Sequence, residues 1–197
     1  MLPSGLMPPP AAATAVPPSD AQWAQLLQAA RAARAMAYAP YSQFAVGAAL
    51  LDELGRVHAG CNVENAAYPQ GQCAEASAIA QLVLAGGRRI LAVVVVGVTE
   101  PRIDAAAGAD AGHAAGAVAG HAAGAAAHAA AGADRAAAGL AVTPCGGCRQ
   151  RLREFAADDT PVWSADLQSV RARFTLGFLL PASFGPAHLA SRPGHLP

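Results

Sequence analysis

Apolar residues return every three or four positions at Trp23, Leu26, Leu27, Ala30 and Met36, the period of a helix with one buried face. Ser19-Asp20-Ala21-Gln22 precedes them with the form of a capping box, Ser19 at the N-cap and Gln22 three residues on. The pattern predicts an amphipathic helix over 20–37, stopped before Pro40. Gln43–Leu51 and Arg56–Val63 read as strands, and Asp52-Glu53-Leu54-Gly55 between them predicts a hairpin turn. Residues 64–72 predict a loop. Helical spacing resumes over Cys73–Ala85, with Ile79, Leu82 and Val83 on one side and Gly86-Gly87 as the stop. Ile90–Val98 is apolar without alternation, which predicts a strand buried on both faces beneath helices.

Residues 104–139 break this grammar. Of these 36 positions, 21 are Ala, 7 Gly and 3 His, and Gly recurs every fourth residue from 108 to 124. No unit carries the apolar bulk to stack on a neighbour, so the segment predicts a low-complexity surface insertion rather than a fold repeat. Metal capture by His113, His121 and His128 would cost much ordering entropy and is disfavoured. Pairing within a membrane is disfavoured because Leu, Ile and Phe are too scarce. Beyond it, Ala141–Thr143 reads as extended and Pro144–Gln150 opens a helix to about Phe155. Pro161–Ser164 and Arg171–Thr175 read as strands, Leu176–Leu180 as a short apolar segment, and Ala182–Leu189 as a structured C-terminal stretch. Strands alternating with helices give an α/β class, a sheet between two helical layers.

Composition narrows the functional classes. Thirteen Arg, no Lys and 13 acidic residues leave the formal charge at zero, without the basic surplus a nucleic-acid binder uses. Ala makes up 54 of 197 residues, so the apolar fraction overstates the core, which lies in roughly 20–100 and 140–190. Residues 1–18 contain six Pro. They lack a basic start and an unbroken apolar run, so they predict a disordered tail and not a signal peptide. Residues 191–197 are expected to form a second tail. No apolar run has membrane length, and a cytosolic chain with no membrane partner is expected.

Four cysteines, at 61, 73, 145 and 148, carry the candidate chemistry. Cys145 and Cys148 stand three apart at a helix start, and Cys73 also stands where a helix begins. Facing helix N-termini would favour the thiolate forms and aim three sulfurs at one point. Three protein ligands leave the fourth position of a tetrahedral zinc ion to water, as in a catalytic site. Glu75, two residues after Cys73, can reach that water and move its proton. A structural zinc site would need a fourth ligand. His58 and Cys61 lie on one strand pointing to opposite faces, so at most one could serve, and Cys61 is expected to be a packed core thiol. A redox pair at Cys145 and Cys148 would require neither Cys73 nor Glu75.

The sequence resembles the small homotetrameric cytidine deaminases through five ordered blocks between Trp23 and Leu189. They are Tyr38–Phe44, Gly60–Ala66, Cys73-Ala74-Glu75, Pro144–Gln150 and Leu179–Pro186. The resemblance implies a three-layer α/β/α sandwich with a mixed, mostly five-stranded sheet. It implies a single domain over 19–190 interrupted by 104–139. It further implies one zinc per chain on Cys73, Cys145 and Cys148, Glu75 as general acid and base, and Asn62 and Glu64 at the ribose 3′-hydroxyl. Phe44 would lie beside the nucleoside, with Tyr68 and Phe184 reaching a neighbouring subunit's site. The implied reaction is hydrolysis of cytidine and 2′-deoxycytidine to the uracil nucleosides and ammonia, in pyrimidine salvage. The alternatives are another small aminopyrimidine nucleoside as substrate, or a non-catalytic zinc-stabilised module. Many relatives place Arg after Cys-Ala-Glu, where this chain has Ala76. Helix dipoles and Arg149 are the expected substitutes for its charge.

Overall fold

The computed structural model describes residues 17–98 and 141–189. Residues 1–16 of the expected tail, all of 104–139 and the terminal 191–197 lie outside the described residues. The elements run α1 (Asp20–Ala35), β1 (Val46–Asp52), β2 (Val57–Cys61), α2 (Ala74–Leu84), β3 (Ile90–Gly97), α3 (Gly146–Arg153), β4 (Pro161–Ala165), β5 (Val170–Thr175) and α4 (Leu176–Leu179). Single 3-10 turns cover Tyr68–Gln70 and Pro186–His188.

Local chemistry sets most boundaries where the pattern predicts them. Ser19 caps α1 in a capping box: Gln22 N donates to Ser19 Oγ at 3.3 Å, and Ser19 N donates to Gln22 Oε1 at 2.9 Å. Cys73 is the N-cap of α2 and Cys145 that of α3. The strands start and stop differently. β1 begins at Val46 and β2 ends at Cys61, not at 43 and 63. Asn62 takes over the backbone there: Val46 N donates to Asn62 Oδ1 at 2.8 Å, and Asn62 Nδ2 donates to Phe44 O at 2.9 Å. Ala141–Thr143 joins no strand. Instead Ser164 Oγ donates to Val142 O at 2.9 Å, tying this segment to β4.

The sheet order is β2-β1-β3-β4-β5. β3 and β4 are parallel, and the other neighbours are antiparallel. Central β3 is buried nearly throughout, as its unbroken apolar run implies. One face packs Trp23, Leu26 and Ala30 of α1 against Ala49, Leu51, Val94 and Val96. The other packs Ala78, Ile79 and Leu82 of α2 and Leu152 of α3 against Leu50, Val93, Val95 and Val162. The result is three layers, with α2 and α3 on the same face. Two glycines let the helices lie close. A Cβ at Gly47 would sit 2.0 Å from Ala30 O, and one at Gly60 would sit 2.4 Å from Ala78 N. Among the described residues, no helix is long and apolar enough to cross a membrane.

Cys61 corrects the expectation of a packed core thiol. It is half-buried on the edge strand β2 and outside both core clusters, and its Sγ faces Met36 O at 3.7 Å. An edge strand has a neighbour on one side only, which leaves such a side chain at the margin.

The hairpin turn also carries a buried ion cluster. Asp52, fully buried, accepts from Leu54 N, Arg56 N, Arg56 Nε and His58 Nε2 at 2.7–2.9 Å. Burial alone would raise its pKa. The hydrogen bonds from His58, Arg56 and Leu54 outweigh that and hold it at about 2. A carboxyl depressed from 3.8 to about 2 stabilises the fold above its unfolded pKa and loses that contribution as pH falls through 2. Asp52→Asn should therefore cost about 2 kcal/mol at neutral pH. The gap between variant and wild type should close near pH 2, as read by urea unfolding at both pH values.

Candidate metal centre

Two helix starts and three sulfurs build this site. Cys73 lies at the N-cap of α2, Cys145 at that of α3, and Cys148 on the first turn of α3. Cys73 Sγ and Cys145 Sγ are 3.8 Å apart. Two sulfurs each about 2.3 Å from a shared tetrahedral ion would also be about 3.8 Å apart. All three sulfurs fall within 4.8 Å of one another, against an expected spacing of about 4 Å. Among the described residues, this is the one group of three or more candidate ligands that converges. His58 is spent on Asp52, and Cys61 faces Met36. Neither supplies a fourth protein ligand.

Electrostatics at the triangle favour a cation. Burial, then the negative charge of Glu75 and a hydrogen bond with it, push the Cys148 thiol far up. Burial also raises Cys73. For Cys145 burial acts in the same direction, but the backbone N–H of Cys148 and the thiols of Cys148 and Cys73 lower it overall. One sulfur thus carries the charge more readily than the other two. A dication is what makes three adjacent thiolates compatible. The donor set is soft and sulfur-only, which suits zinc.

Glu75, on the first turn of α2, is 4% exposed. Its carboxyl raises the Cys148 thiol through its charge, so an acid–base group stands near the sulfur triangle. The depth of α2 is set from below by Gly60. Ser77 Oγ also donates to Cys61 O at 3.0 Å, which joins α2 to β2.

The other candidate residues fall in two groups. Phe44, Asn62 and Glu64 come together. Asn62 holds the backbone at Phe44 and at Val46, and Glu64 Oε2 accepts from Tyr41 N at 2.8 Å and Ser42 N at 3.2 Å. Hydrogen bonds from Ser42 and the Tyr41 N–H keep the Glu64 carboxyl below its usual range. Tyr68 and Phe184 are instead held outward, 76% and 58% exposed. Tyr68 meets Tyr41 edge to face, with centroids 6.0 Å apart.

Sequence reasoning assigned Arg149 only a charge. Its nitrogens donate to Pro144 O at 2.7 Å, Leu179 O at 2.8 Å and Thr143 Oγ1 at 3.0 Å. It fixes the start of α3 to the end of α4. Its position beside Cys148 was the available signal, but the three acceptors are distributed over 37 positions of sequence, from 143 to 179.

The family described as "Cytidine and deoxycytidylate deaminase zinc-binding region" matches residues 21–164. The chain belongs to this deaminase family. It is 32% identical over 166 residues to a cytidine deaminase of Sporosarcina psychrophila, covering 84% of this chain and 93% of the relative. It is 36% identical over 166 residues to one from Mycobacterium tuberculosis, covering 84% and 92%. Among solved structures, it resembles a cytidine deaminase from Burkholderia pseudomallei with a TM-score of 0.58 and 34% identity, over 82% of this chain and 98% of that one. The match with a zinc-binding region agrees with the sulfur triangle, and the deaminase's cofactor is zinc.

Two outcomes follow for the metal. Purified deaminase should contain one zinc per chain by elemental analysis, and Cys148→Ala should lose it. Gly60→Ala should overpack the α2–β2 contact, at a cost of about 1–3 kcal/mol, and release zinc to a chelator at lower concentration than wild type does.

Proposed function

We propose that this deaminase hydrolyses cytidine and 2′-deoxycytidine to uridine and 2′-deoxyuridine, releasing ammonia. One observation carries the reading: a buried carboxylate, Glu75, stands beside three converging sulfurs that include no fourth protein ligand among the described residues. Zinc held by Cys73, Cys145 and Cys148 supplies, when bound, a water acidified to a pKa of about 7 as nucleophile. Glu75 would take a proton from the attacking water as the oxygen of that water bonds to C4 of the pyrimidine, and would give the proton to N3. It then takes the proton of the new C4 hydroxyl and delivers it to the departing amino group. The C4–N bond breaks, a C4 carbonyl remains, and Glu75 returns to its ionised form.

Asn62 and Glu64 address the ribose 3′-hydroxyl. Each retains hydrogen-bonding capacity beyond its backbone bonds, since an amide offers two donors and a carboxylate about four acceptor positions. A site built for a hydroxyl discriminates strongly against ligands lacking it. No residue in this set addresses the 2′ position, so both nucleosides serve. Phe44 flanks the nucleoside.

Tyr68 and Phe184 act in a neighbouring copy's site, within a homotetramer. Their exposure supports this, as does that of Tyr41, whose ring meets Tyr68. Residues 19–190 form the deaminase domain, interrupted by 104–139. The reaction returns cytosine nucleosides to the uracil pool, which is pyrimidine salvage in the cytoplasm.

Loss of cytidine absorbance with zinc-loaded protein tests the reading. Glu75→Gln should lower kcat by about a hundredfold or more with zinc content unchanged. Wild-type protein carrying one zinc per chain that leaves cytidine intact would refute it.

A further inference from the structure

Phe184 is exposed, yet polar contacts fix its surroundings from three directions. Gln150 Nε2 donates to Phe184 O at 2.9 Å. Arg153 Nε donates to Ser183 Oγ at 3.0 Å. Gly185 N donates to His188 Nδ1 at 3.0 Å, and the His188 ring lies near-parallel to Phe184 with centroids 5.0 Å apart. Arg153 is itself braced, donating to Ala156 O at 3.0 Å and pairing with Asp158 at 3.4 Å. A cleft lined by Arg153, Asp158, Leu180, Ala182, Ser183 and His188 borders the loop. The chain also turns through a left-handed residue at Ala182, with φ of 50°, a conformation that costs energy for any residue with a Cβ. Hydrogen bonds at Ser183, Phe184 and Gly185 thus hold the loop that carries the Phe184 ring.

We infer that Gln150 and Arg153 are positioning residues that hold the Phe184 ring in a fixed outward pose, ready to stack on a base bound by an adjoining subunit. This rests on the nucleoside deamination proposed above. Both residues are on α3, the helix whose first turn carries Cys148 and whose N-cap is Cys145. One helix thus presents two sulfurs at its start and an aromatic ring along its flank. A ring fixed before binding spares the complex the cost of ordering it. The effect belongs in ground-state binding and so in KM, because both residues bond the loop that carries the ring.

A double-mutant cycle on the zinc-loaded protein tests the clamp. Gln150→Ala should raise KM for cytidine roughly fivefold, the worth of one net hydrogen bond, with kcat and zinc content close to wild type. Phe184→Ala should raise KM further. The double variant should be no worse than Phe184→Ala alone, because the hydrogen bond acts only through the ring. Arg153→Lys keeps the charge and part of the bonding, and should shift KM in the same direction. Backbone amide exchange over 183–188 should be faster in Gln150→Ala, a readout that needs no substrate. An additive cycle, or exchange equal to wild type, would overturn the inference. A wild type that ignores cytidine while the variant's amides exchange faster would support the clamp and remove the proposed reaction.

Discussion

Strand direction is the constraint on which the rest of this structure depends. β1 runs antiparallel to both β2 and β3, and β3 runs parallel to β4, so β2, β3 and β4 all point the same way. α2 and α3 both pack on one face of the sheet. Each helix starts above the C-terminal ends of those strands, where open α/β sheets place their ligands. Cys73 and Cys145 are 72 positions apart in sequence and 3.8 Å apart in space for this reason. No attraction between thiols is needed to explain it.

What the sequence made legible was what acts locally or repeats. Ser19 and Gln22 satisfy orphan N–H groups of the same helix turn, so four adjacent letters suffice. Ile90–Val98 lacks polar positions because both of its faces are covered, so its central place could be read directly. The three cysteines and Glu75 were legible because few residue types hold a soft metal and few spacings put a carboxylate beside it. The first residues of β1 were misread because their partner, Asn62, is 16 to 18 positions away and competes through a side chain. Gln150 and Arg153 received no role of their own, because what they bond lies far along the chain. Their acceptors at Ser183 and Phe184 are 30 and 34 positions on.

Distance between chemistry and support recurs across the molecule. Arg56 Nη1 donates to Ala85 O, at the C-cap of α2, while its Nε is fixed on buried Asp52. Glu53 accepts from Arg88 N and Arg89 N just beyond. The hairpin turn so grips the end of the helix opposite Cys73 and Glu75. Gly60 and Ser77 fix the near end. Charged groups that take no part in the chemistry are thereby tied to the same rigid body that carries it.

A helix anchored at both ends does not need an ion to bring its ligands together. In small zinc modules, by contrast, the metal's binding energy is the folding energy. This polypeptide is therefore expected to keep its shape when the cation leaves, with occupancy following supply as well as intrinsic preference. Preparations grown in media of different trace-element content would then differ in catalytic fraction without differing in fold, and the metal inventory of each batch belongs beside every rate measured on it.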